Sequence, residues 1–146
     1  MTHEDEGHYA AKHKGKDLDE RIAASIRDVH QGKEFPCAAA EKIGLDLGVP
    51  LPDVGVALDL QEIKIGRCEI GLFGFETANG RHAGFVPAEM VSEEMEQEIQ
   101  HALVDGRLPC AAAWAIAKAH ELSRIEVGSA CEKLKIKISK CQIGAF

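Results

Sequence analysis

The sequence predicts a mostly helical α+β protein built of two tandem units related by internal duplication, each with three helices followed by a small β-hairpin. Three observations carry that prediction. Residues 36–73 recur as residues 109–146 at a constant offset of 73, with Cys37 matching Cys110 and Cys68 matching Cys141. Roughly four positions in ten are identical, which marks one supersecondary unit used twice. Upstream of each copy, apolar residues recur at helical spacing, as Ile22, Ile26 and Val29 and again as Met95, Ile99 and Ala102. Each copy closes on Ile-Lys-Ile, two linking residues and Cys-x-Ile-Gly-x-Phe, the alternation of two short strands.

Residues 1–17 read as a mobile polar tail with little to bury. His3, His8 and His13 recur every five residues, which suits neither one helical face nor one strand face. A solvated arm, not a metal site, is the expectation. Asp19 then offers an N-cap with Glu20 in the first turn, and Ser92 does the same ahead of Glu93 and Glu94. These open unit 1, residues 18–75, and unit 2, residues 92–146. The first helices should end near Gly32 and Gly106.

Pro-Cys-Ala-Ala-Ala begins the second helix of each unit. Proline suits the first turn, and the alanines favour helix and permit close packing. These helices are expected to run to about Leu47 and Glu121. After a short break at Gly48-Val49-Pro50 or Leu122-Ser123, a third helix carries Val54 or Val127. Small residues where two helices cross, a turn, then apolar anchors form the pattern of a helix-turn-helix. Unit 1 supplies Ile43, Gly44, Leu47, Gly48, Val49, Val54 and Ala57. Unit 2 supplies Ile116, Ala117, Leu122, Val127 and Ala130, with Glu121 in place of the turn glycine.

In the closing hairpins, Gly66-Arg67 and Ser139-Lys140 would be the two-residue turns. They would set Ile65 against Cys68 and Ile63 against Ile70, with Lys64 facing Glu69 on the other side. Ile138 and Cys141, and Ile136 and Ile143, would pair likewise. Three helices and such a hairpin make a winged helix. Residues 76–91 between the units read as a linker, with Phe85 and Val86 as candidate anchors.

The pattern resembles the winged helix-turn-helix superfamily of bacterial transcription regulators. The phrase Leu-Pro-Cys-Ala-Ala-Ala…Val-Gly…Ile-Lys-Ile…Cys-Gln-Ile-Gly in residues 108–144 is also similar to repeats likened to the winged helix of ModE-type, molybdate-responsive regulators. The resemblance covers both copies, but neither tail nor linker. It implies a fold that binds double-stranded DNA. It carries over no molybdate site, and no cofactor is expected.

Charge separates the two copies. The whole chain has a net charge of −7, which opposes non-specific nucleic-acid binding. The third helix of unit 1 holds Asp53 and Asp59, with Glu62 just beyond, and no basic residue. Unit 2 instead presents Ser123 and Arg124 at the helix start, then Lys133, Lys135, Lys137 and Lys140. With Glu126 and Glu132 offsetting part of this, a local excess of about three positive charges remains. These six residues are the candidate DNA contacts. A solvated lysine-rich face is the plainer alternative.

Gly55 and Gly128, inside the third helices, point to close backbone approach, with packing favoured over DNA as the cause. The five cysteines lack close CxxC pairs, which argues against a zinc finger or a secreted disulfide framework. Cys68, Cys131 and Cys141 read as core. Cys37 and Cys110, in a first helical turn where the dipole favours thiolate, are the candidate redox residues, provided they are exposed. No signal peptide, membrane-length apolar run, phosphate loop, nucleophile elbow or HExxH helix is evident. The expectation is a cytoplasmic, non-catalytic regulator, acting as a homodimer. The alternatives are a protein-interaction module of degenerate winged helices and a thiol- or metal-responsive sensor.

Overall fold

The computed structural model describes residues 8–30, 34–77 and 80–146. These are mostly helical, with six α-helices and a few two- or three-residue strands. None of the helices is long and apolar enough to cross a membrane. The chain divides into two compact units. Unit 1 runs through Arg67 and takes in Gln142–Phe146, and unit 2 is Cys68–Cys141.

In unit 1, α1 (Glu20–Val29) starts where Asp19 accepts the Arg21 and Ile22 amides, at 2.9 and 3.4 Å. Its stripe buries Ile22, Ala23 and Ile26, whereas Val29, in the unsupported last turn, is 49% exposed. Gly32, where the helix was expected to end, lies outside the described residues. β1 (Phe35–Pro36) leads into α2 (Cys37–Leu47), with Pro36 at the N-cap. Gly48 ends α2 in the left-handed conformation, φ 67°, and the Val49 amide reaches back to Gly44 O at 3.0 Å. This is the helix stop that glycine makes cheap. α3 (Leu51–Leu60) then crosses α2 at Gly44, where the Val54 Cγ2 methyl would lie 3.8 Å from an added Cβ.

Unit 2 follows the same order. α4 (Glu93–Ala102) is capped by Ser92 and buries Met95 and Ile99. β5 (Leu108–Pro109), α5 (Cys110–Ala119) and α6 (Arg124–Lys133) follow. Glu121 takes the place of Gly48, at φ 55°, and the Leu122 amide reaches Ala117 O at 2.9 Å. The turn therefore forms without glycine, at a cost of about 1 kcal/mol for a left-handed side-chain-bearing residue.

The closing hairpins do not form. β2 (Ile65–Arg67) pairs parallel with β1, Phe35 opposite Ile65, and β6 (Ile138–Ser139) pairs parallel with β5, Leu108 opposite Ile138. Phe35 N donates to Lys64 O and Leu108 N to Lys137 O, both at 2.9 Å. The reason lies in the glycines of Cys-x-Ile-Gly. Gly71 and Gly144 have φ of 95° and 78°, so each tail turns instead of extending into a second strand. Gly71 N bonds Cys68 O and Cys68 N bonds Phe73 O, both at 3.1 Å, closing a loop instead of a ladder. Lys64 does not face Glu69, whose carboxylate lies 3.4 Å from Arg124.

The tails are also exchanged. Residues 68–73, which follow the helices of unit 1 in sequence, belong to unit 2, where Ile70 is wholly buried among Val127, Ile99 and Leu108. Gln142–Phe146 completes unit 1, with Ile143 only 2% exposed. Gly55 and Gly128 explain the seats. A Cβ on Gly55 would lie 2.9 Å from the Ile143 carbonyl carbon and closer still to its oxygen. One on Gly128 would overlap the Ile70 carbonyl oxygen and come within 3.1 Å of Phe85. The mid-helix glycines serve close backbone packing.

Two connecting segments are docked onto third helices. β3 (Phe75–Thr77) and β4 (Gly80–His82) form an antiparallel pair in the expected linker. Beyond it, Gly84 N bonds Gly71 O at 2.7 Å and Ala88 N bonds Ser129 O at 3.1 Å. Phe85 reaches Gly71 and Gly128, while Val86 is 76% exposed and anchors nothing. At the start of the described chain, residues 9–13 form a 3-10 turn in place of a solvated arm. Tyr9 is 1% exposed, its amide and that of Ala10 donate to the Glu62 carboxylate at 2.8 Å, and His13 Nε2 lies 2.6 Å from Asp59 Oδ2. The single aromatic side chain of the segment supplies the burial that its polar composition hides.

Candidate nucleic-acid interface

Ser123 and Arg124 begin α6, but both are engaged within unit 2. The Ser123 hydroxyl accepts the Glu126 amide at 3.1 Å, and the Glu126 carboxylate accepts the Ser123 amide at 2.6 Å, a complete capping box. The Arg124 guanidinium lies 3.6 Å over the Trp114 ring and 3.4 Å from Glu69 Oε1. A stacked and paired guanidinium is held in place. At the helix start, therefore, the two candidate base and phosphate contacts are used to fix α6 against α5 and the residue 68–73 loop.

The lysines differ. Beyond α6 the chain alternates between partly buried Leu134, Ile136 and Ile138, packed on the unit 2 core, and exposed Lys133, Lys135 and Lys137. Lys140 is exposed too, and none of the four is in an ion pair among the described residues. The backbone beneath them is fixed at both ends. Lys135 sits at φ 58°, where its amide and that of Ile136 return to Glu132 O and Cys131 O, and the β5–β6 pair holds Ile138. This makes a short, pre-shaped cationic edge.

Unit 1 keeps only half of this edge, with Lys64 and Arg67 at the places of Lys137 and Lys140. Leu60 and Glu62 stand where unit 2 has Lys133 and Lys135, and Glu62 is already occupied by the Tyr9 and Ala10 amides. Its third helix buries Asp59 beside His13 and beside Lys12 Nζ at 3.3 Å. Leu51 and Glu41 replace Arg124 and Trp114, so the stack belongs to unit 2 alone. Trp114 was not singled out by its sequence position. Being the chain's one tryptophan, with Glu41 in the matching place, is the only signal that it carries.

None of the five cysteines is in a disulfide. Cys37 and Cys110 are buried, 7% and 5% exposed, so these two candidate redox residues lie out of reach of dissolved oxidants. Burial pushes the Cys131 thiol up to about 11, and it pushes Cys68 up against the Leu72, Ile70 and Gly71 amides that favour its thiolate. Alkylation of the native chain near pH 8 is expected to reach half-buried Cys141 first. Peptide mass spectrometry after a short iodoacetamide pulse checks this, and early labelling of Cys37 or Cys110 would restore them as sensor candidates.

Among the described residues, no cluster of three or more His, Cys, Asp or Glu side chains is placed to hold a metal ion, and His3 lies outside those residues. His120 of unit 2 pairs with Glu98, linking the end of α5 to α4. No protein-family model, curated protein or solved structure matches the chain.

Proposed function

We propose that this protein is a non-catalytic DNA-binding regulator that grips duplex phosphates through Lys133, Lys135, Lys137 and Lys140 of unit 2. The observation that carries the reading is the outward row of unpaired lysines on a fixed backbone edge. The helix–turn–helix order of α5 and α6, and of α2 and α3, supports it. With Arg124 and Ser123 committed inside unit 2, affinity comes from phosphate contacts, and sequence selection from duplex shape.

A fluorescence-anisotropy titration against a labelled duplex at several salt concentrations tests this. Four phosphate contacts predict a log–log salt slope of about −3 to −4, because each neutralised phosphate contributes about −0.9. Lys133→Glu with Lys135→Glu is expected to remove about two from that slope and to abolish binding at physiological salt. No binding at low salt would reject the reading.

The second reading is a protein-interaction module of the same two units. It is favoured by the acidic, strap-covered third helix of unit 1 and by the net charge of −7. Binding insensitive to salt and to the two lysine changes would select it.

A further inference from the structure

We infer that the notch at Gly55 is an exchangeable seat for the C-terminal segment Gln142–Phe146, and that the same segment of a second copy of this chain is its alternative occupant. Fit comes first. Gly55 has no Cβ, and the Ile143 carbonyl lies where one would stand, so the segment's backbone rests directly on α3. Ile143 is 2% exposed, and Gly144, at φ 78°, turns the chain beyond it. The glycine and the isoleucine thus match as lock and key in unit 1.

A second, independent instance lies in unit 2, where Gly128 receives Ile70 of another Cys-x-Ile-Gly-x-Phe segment. The same motif fills the same kind of notch through a different connection, so the seat selects the motif and not the chain path that delivers it. Gln142–Phe146 follows Cys141, a residue of unit 2, and completes unit 1, so the peptide joining the two is where an exchanged path would part from the internal one.

An identical segment from another molecule brings identical contacts, so only effective concentration chooses between the internal and the exchanged seat. That is the condition under which segment exchange makes dimers at little cost. Dimerisation by this route does not depend on the nucleic-acid reading above.

Light scattering on the full chain, refolded from urea at low and at high concentration, tests the inference. A dimer that grows with refolding concentration is expected, and Ile143→Asp should weaken it by roughly tenfold or more. Gly55→Ala blocks the seat but leaves the segment intact. Mixed and refolded with the Ile143→Asp chain, which keeps an open seat, it should yield a heterodimer that neither variant matches alone. A wild-type chain that stays monomeric at all concentrations overturns the inference. A dimer untouched by Ile143→Asp overturns it too, by placing association on another surface. Should Gly55→Ala fail to fold, wild type against Ile143→Asp still decides.

Discussion

Gly128→Ala is expected to destabilise the protein by about 2–3 kcal/mol, reversing the sign that helix propensity alone predicts. In a free helix the change would stabilise by about 1 kcal/mol. Here the new methyl overlaps the carbonyl oxygen of Ile70 and stands 3.1 Å from both Ile70 Cγ2 and Phe85 Cδ1. A backbone carbonyl cannot rotate aside as a side-chain tip can. Either α6 shifts, at the 1–3 kcal/mol typical of overpacking, or the residue 68–73 loop lifts and Ile70 loses burial worth about 2–3 kcal/mol. Gly55→Ala meets the same kind of clash with Ile143. That change should therefore cost a comparable amount, and urea unfolding of the three proteins measures both. A Gly128→Ala chain more stable than wild type would refute the packing account.

The helices were legible because burial, spacing and capping are local. Ile22 and Ile26, Met95 and Ile99, Asp19 and Ser92 all do in the structure what their spacing implies. The strands were not, since Ile-Lys-Ile shows that a segment alternates without showing its partner. The chosen partners, Phe35 and Leu108, lie about thirty residues upstream and carry no mark of pairing. Tail exchange was beyond reach for a related reason. Cys-x-Ile-Gly-x-Phe has the same apolar pattern whether it returns to its own unit or crosses, so the repeated motif hides the choice that it makes possible. In the candidate interface, the lysine alternation at 133, 135 and 137 was readable from the sequence. The capture of Arg124 by Trp114 was not, because it joins residues of two different helices.

Tyr9→Ala is expected to cost about 3 kcal/mol, the loss typical of a wholly buried aromatic ring, and to free the segment ahead of α1 from α3. Tyr9 is the only fully buried side chain of the 3-10 turn, so the polar contacts around it have no other apolar anchor. Lys12 and His13 beside Asp59, and the two amides on Glu62, hold only while the ring holds. Deleting residues 1–13 should therefore cost the same as Tyr9→Ala to within about 0.5 kcal/mol, as two changes that remove one docking event. Asp59, 2% exposed when covered, then regains water instead of remaining a buried unpaired charge. Acid should loosen the same contact. The Ala10 amide, then that of Tyr9 and the charge of His8, hold the Glu62 carboxyl below its ordinary value of 4.5. A carboxylate lowered in the folded state stabilises fully above that value and loses its contribution as pH falls through the lower one. Trypsin cleavage at Lys12, Lys14 and Lys16 should accordingly speed up in Tyr9→Ala at pH 7. For hydrogen exchange at the Ala10 amide, wild type should lose protection as pH falls through the lowered Glu62 value, whereas Glu62→Gln should lose that pH dependence. Unchanged stability and unchanged cleavage in Tyr9→Ala would mean that the segment is held by its charges and not by the ring.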